Sequence, residues 1–278
     1  MFEIRNQFHE ESLDYKDAEK ILGNRYDEAV GLQNVTAYCA AIGEKIECDI
    51  DQMYETEVER NVFFCDWLYG NAGEADYDMR RMFLEIIQTF TDIGSPKDGI
   101  IDISLGEMEE CICDETGYRN KRREYLAQLS NADSYYDFMK SCFLDSEFSE
   151  IIRDAMKKIP DFSSCTREIT ENLSLLNDQA IEIYQKHNNN AKEAMRELAS
   201  KALACSGDPR HKNELKFPFS YQVNENGTVN TYVAEITCTS HMKLLRRDSD
   251  LRIYFYWFDK RIQNGEKVLI GLIGGHPY

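Results

Sequence analysis

The sequence has no run of about eighteen apolar residues, the length a helix needs to cross a bilayer, so no membrane-spanning helix is expected. Its opening, Met1-Phe-Glu-Ile-Arg5, lacks the basic start and apolar core of a secretion signal, and the expectation is a soluble, cytoplasmic protein. Regularly paired cysteines are missing too. The nine, at 39, 48, 65, 111, 113, 142, 165, 205 and 238, are odd in number and scattered, which argues for reduced thiols over a disulfide framework. Cys111 and Cys113 are the closest pair, but neither they nor Cys39 and Cys48 have zinc-site spacing, so no metal and no other cofactor is expected. There is no internal repeat and no low-complexity segment.

Positive charge is scarce, and it is unevenly placed. Of 32 Lys/Arg and 50 Asp/Glu, residues 206–278 hold ten and eight, net +2, which leaves 22 and 42, net −20, to residues 1–205. A region at −20 repels polyanions, so a phosphate-binding surface is expected only in the last quarter. The acid elsewhere serves solubility.

What the chain does have is core-forming material: 278 residues, 42% hydrophobic and 12% aromatic. Residues 1–20 show no period. Helical spacing then runs from Tyr26 to Ile46, from Val58 to Tyr69 (Val58, Val62, Cys65, Leu68) and from Tyr77 to Phe90, where Asp76 is placed to cap the start. These stripes are read as packing surface. A short buried strand is expected at 99–104, a helix from Lys121 to Lys140 that breaks near Ser130–Asp133, and another from Phe148 to Ile159 stopped by Pro160. Residues 167–205 read as a helical hairpin turned at Asn188-Asn-Asn190, with Asn190 and Glu193 forming a capping box. Ser206-Gly-Asp-Pro209 ends it.

Beyond that point the period changes from 3.6 to 2. Phe217 to Val223, Val229 to Cys238, Arg252 to Phe258 and Lys267 to Ile273 read as successive antiparallel strands, the last two joined through Asn264-Gly265. The expected fold class is α+β: an acidic, mainly helical domain over 1–160, then a helical hairpin and a four- to five-stranded antiparallel sheet over 161–278, with the sheet in 215–278.

Alternation puts Arg252, Tyr254 and Tyr256 on one face of their strand, where they could line a cleft, with Ile253, Phe255 and Trp257 on the other. His241 and Lys243 share a face of a short strand, and His276 and Tyr278 follow a Gly-Gly pair. The residues expected to carry chemistry are therefore His241, Arg252, Tyr254, His276 and Tyr278, with Lys243, Arg246 and Arg247 binding a polyanion.

A helical hairpin, an antiparallel sheet with strands Arg252-Ile-Tyr-Phe-Tyr256 and Val268-Leu-Ile-Gly-Leu-Ile-Gly274, and a tail bearing His276 and Tyr278 resemble the end of the RelE/HigB/ParE-type toxins. The likeness spans residues 167–278 at most. That family's ribonuclease members are small and basic, and cleave messenger RNA on the ribosome with a variable set of Lys, Arg, His and Tyr. The resemblance implies a toxin-like or host-defence ribonuclease, with RNA or a ribosome as partner. Cleavage through the RNA 2′-hydroxyl needs a base, an acid and cations for the phosphorane charge. On that reading His241 or His276 serves as acid or base, Arg252 and Lys243 hold the phosphate, Tyr254 or Tyr278 stacks on a base or gives a proton, and no metal is required. The acidic extension departs from the family and suggests a built-in restraint on the basic site. Two other readings stand beside it. One is a metal-dependent nuclease using Asp208, Glu214 and Lys216. The other is a non-catalytic protein-binding component of a multi-protein defence or regulatory system, with a protein partner.

Overall fold

The first half of the chain is organised by strands too short to show a period. The computed structural model describes residues 4–15, 22–73, 77–96, 98–202, 204–207, 209–225, 227–244 and 249–277. It divides the chain into two compact units, Met1–Arg122 and Arg123–Tyr278.

In the first unit the order is β1 (Asn6–Phe8), α1 (Tyr26–Ile42), β2 (Ile46–Cys48), α2 (Ile50–Glu55), β3 (Glu57–Glu59), β4 (Val62–Phe63), α3 (Phe64–Leu68), α4 (Tyr77–Ile87), β5 (Phe90–Asp92) and β6 (Ile101–Ile103). The expected helices are accompanied by a parallel sheet that the sequence pattern does not reveal, in the order β5-β2-β1-β6. Three-residue strands such as Ile46–Cys48 leave no alternating run to read, while Ile101–Ile103 falls within the short buried strand expected at 99–104. From β1 the sheet grows through β2 to β5, and β6 then returns to the other side of β1, which makes a topological switch point. The single helix expected over Val58–Tyr69 is instead a tight hairpin followed by one helical turn. Asn61 sits there at φ 60° and its amide donates to Glu57, so a turn replaces the helix that the spacing of Val58, Val62 and Cys65 mimics. Phe64, Trp67 and Phe83 fill the core, with ring centroids 5.5–5.8 Å apart. Asp76, the expected cap of α4, lies outside the described residues.

The division falls within α5 (Glu115–Ala127). The second unit continues with α6 (Ala132–Cys142), β7 (Ser146–Phe148), α7 (Ile152–Met156), α8 (Thr166–Lys186), α9 (Ala191–Ala199), β8 (Cys205–Gly207), β9 (Lys216–Glu225), β10 (Thr228–Thr237), β11 (Ser240–Lys243), β12 (Arg252–Tyr256) and β13 (Val268–Gly274). Asn190 caps α9 by accepting from the amides of Lys192 and Glu193, but the reciprocal half of the capping box is absent because Glu193 pairs with Arg196 at 2.7 Å.

The main sheet here is not a meander of consecutive strands. Its order is β7-β13-β12-β11-β8, antiparallel throughout except that β7 runs parallel to β13. β13 is buried along its whole length and needs a partner on each side, and β7 supplies the second from chain ahead of residue 161. β9 and β10 form a separate two-stranded ladder that packs across one face of the sheet. Phe217 and Phe219 there meet Tyr254, Leu269 and Leu272. On the other side Trp257 stacks on Tyr184 of α8, with centroids 4.7 Å apart and planes 5° from parallel. Gly271 makes the first of these contacts possible. It is the extra residue of a bulge, since Tyr254 pairs with Leu272 and Phe255 with Ile270, and a Cβ at this position would collide with the Phe217 ring and come within 2.9 Å of Cys238 Sγ.

Candidate functional site

Strand register brings the expected residues together at one end of the terminal sheet. His241 lies opposite Tyr254, Lys243 opposite Arg252, and Arg252 opposite Gly274, two residues ahead of His276. Tyr254 joins the two histidines. Its ring centroid is 5.2 Å from that of His241, and its hydroxyl is 2.6 Å from His276 Nδ1. Arg246, Arg247 and Tyr278 lie outside the described residues, as does Asp208 of the metal-nuclease pattern.

Burial revises the expected cleft. Tyr254 is fully buried beneath Phe217, whose ring centroid is 6.2 Å away, while His241 and Arg252 are each 6% exposed. Of the face that alternation assigns to Arg252, Tyr254 and Tyr256, Tyr254 is roofed by the β9–β10 ladder, because Phe217, Phe219 and Ile236 need an apolar surface to cover, while Tyr256 stays exposed. Lys243 and His276 are part-exposed.

The cations here are not neutralised by acid. The Arg252 guanidinium donates to the carbonyls of Ser249 and Leu251, and neither Arg252 nor Lys243 forms an ion pair with a carboxylate of the described residues. In a chain of net charge −18, two such cations side by side mark a place where negative charge is welcome. Among the described residues no three His, Cys, Asp or Glu side chains converge as a metal site.

One participant carries no signal in the sequence. Ser206 sits on the edge strand β8 opposite His241, and its Oγ lies 2.9 Å from His241 Nε2. Ser206-Gly207 reads as a turn after the helical hairpin, and only the pairing of β8 with β11 places it on the histidine.

A second concavity lies in the first unit, between the start of α1 and the segment that follows β6. It measures about 520 Å3 and is walled by Arg25, Asp27, Glu28, Glu107 and Asp114. Arg25 is itself committed, donating to the carbonyls of Ser12 at 2.6 Å and of Leu105. Burial pulls its guanidinium below the ordinary value, against the opposing effect of Glu28. Acidic side chains in the first turn of α1 oppose phosphate at that helix start.

No protein-family model, curated protein or solved structure matches the chain.

Proposed function

We propose that the protein is a toxin-like or host-defence ribonuclease that cleaves RNA through its 2′-hydroxyl, using the His241, Tyr254 and His276 cluster at the end of the terminal sheet. The observation that carries this reading is the convergence of two imidazoles on one tyrosine beside two cations that have no carboxylate partner among the described residues. His241 is the base toward which the proton of the attacking hydroxyl is drawn, and His276, part-exposed and tethered by Tyr254, protonates the departing 5′-oxygen. Lys243 and Arg252 offset the charge that builds on the phosphorane oxygens. Nothing in this scheme needs a metal ion, and the acidic first 205 residues restrain the basic site until a trigger or partner intervenes.

The test is growth arrest on induced expression, followed by cleavage of single-stranded RNA by the purified full chain. His276→Ala and Lys243→Ala are the variants of choice, because both side chains are part-exposed. Loss of His276 is expected to lower cleavage by about 100-fold or more with unchanged circular dichroism. Equal cleavage by the native chain and both variants removes this site from consideration.

A second reading, a non-catalytic component that binds a protein partner, draws support from the outward face of β10, where Val229 and Val233 are 58% and 60% exposed. Native chain that neither arrests growth nor cuts RNA, yet binds a partner through Val229 and Val233, would favour it.

A further inference from the structure

The ribonuclease reading leaves a difficulty. His241 is 6% exposed, and its Nε2 is already engaged by Ser206, so the imidazole does not meet a substrate hydroxyl directly. Ser206 is placed to do so. It is exposed, it lies on β8, the edge strand of the sheet among the described residues, and its hydroxyl is 2.9 Å from the ring nitrogen. This is the hydrogen-bonded pairing of a hydroxyl with a base that activates serine in nucleophilic sites.

We infer that Ser206 is a catalytic residue of the proposed site, the group that touches the RNA 2′-hydroxyl and relays its proton to His241. The inference rests on the ribonuclease reading for its substrate, but the pairing of Ser206 with His241 stands without it. In the relay, the 2′-hydroxyl passes its proton to Ser206 Oγ while the Ser206 proton moves to His241 Nε2. The bond from the 2′-oxygen to phosphorus forms as the bond from phosphorus to the 5′-oxygen breaks. The 5′-oxygen takes its proton from the His276 imidazolium, and His241 is left as the imidazolium. For the hydroxyl to donate, His241 must carry its ring proton on Nδ1 at the start.

The geometry has a structural support. β8 is only three residues long, and its register on β11, Ser206 opposite His241 and Gly207 opposite Ser240, fixes the position of Oγ. Met195 of α9 packs on Gly207, its Cε lying 3.4 Å from where a Cβ would be, so the helical hairpin holds the edge strand in place. The site thus uses the one strand that joins the hairpin to the sheet.

Two measurements on the full chain test this. The first is covalent labelling with a fluorophosphonate, in which Ser206 Oγ bonds to phosphorus, fluoride leaves, and His241 accepts the serine proton. Mass spectrometry should find the adduct on Ser206 in the native chain and lose it in His241→Gln. The second is RNA cleavage by Ser206→Ala and Ser206→Thr. Alanine should lower the rate by about 100-fold and remove the acid limb of the pH profile assigned to His241, while threonine, which keeps the hydroxyl, should retain most of the rate. No adduct on Ser206, or an adduct equally strong in His241→Gln, overturns the pairing. Cleavage by Ser206→Ala at the native rate overturns the relay. Absence of RNA cleavage in the native chain with the adduct present defeats the ribonuclease reading and leaves the activated serine standing.

Discussion

The two sheets of this protein solve opposite problems. The first unit builds a parallel sheet from three-residue strands and pairs a buried arginine with a carboxylate of its own. Glu44 takes a hydrogen bond from Tyr118 at 2.5 Å, one from Asn6 at 3.1 Å, and an ion pair from Arg122, while Arg25 clamps the loops after β1 and β6. The second unit buries long apolar strands and places Lys243 beside Arg252 with no carboxylate partner among the described residues. Arg25 and Arg252 are both held by backbone carbonyls, so what sets the second unit apart is the tyrosine between two histidines that lies beside Arg252 and Lys243. The difference teaches where to look: Glu44 of the first unit is engaged by Arg122, Tyr118 and Asn6, whereas the candidate site lies at the end of β11, β12 and β13.

The largest effect expected is on the roof of the second unit. Phe217→Ala should cost about 3–5 kcal/mol, measured by urea unfolding, because it empties the space over Tyr254 and Gly271. A loss below about 1 kcal/mol would show that the ladder does not cover the sheet. In the first unit Glu44→Gln should cost about 3 kcal/mol by leaving the fully buried Arg122 without its counter-charge, whereas Glu44→Leu with Arg122→Met should cost clearly less. If the double variant is the worse of the two, the pair is a net stabiliser and the contrast between the units weakens.

The smallest effect concerns pH. Hydrogen bonds from Lys186 and then His187 hold the Glu197 carboxyl below its ordinary range. A depressed folded value means stability that is present above the unfolded carboxylate value and lost as pH falls through the folded one. Native chain and Glu197→Gln should therefore differ slightly in unfolding midpoint at pH 7 and converge on acidification.

The sequence makes some of this architecture legible and hides the rest for physical reasons. The β12 and β13 runs announce themselves because a strand buried on both faces is apolar throughout, and Asn190 reveals the start of α9 because a cap must accept backbone amides. β1, β2 and β5 stay hidden, since three residues cannot display a period and parallel pairing is not local, whereas β6 falls within the strand expected at 99–104. For the site, the two-residue spacing of His241 and Lys243 and of Arg252 and Tyr254 correctly assigns them to shared faces, and register then joins them. Ser206 and the roof over Tyr254 were not legible, because both depend on which strand lies beside or above which.

The most direct test of the account is the chemistry of the RNA ends made by the full chain with a chelator present. The account predicts cleavage that persists and leaves 2′,3′-cyclic phosphate and 5′-hydroxyl ends, lost when His276 is replaced by alanine. Ends bearing 5′-phosphate, cleavage abolished by the chelator, or cleavage indifferent to His276 would contradict it.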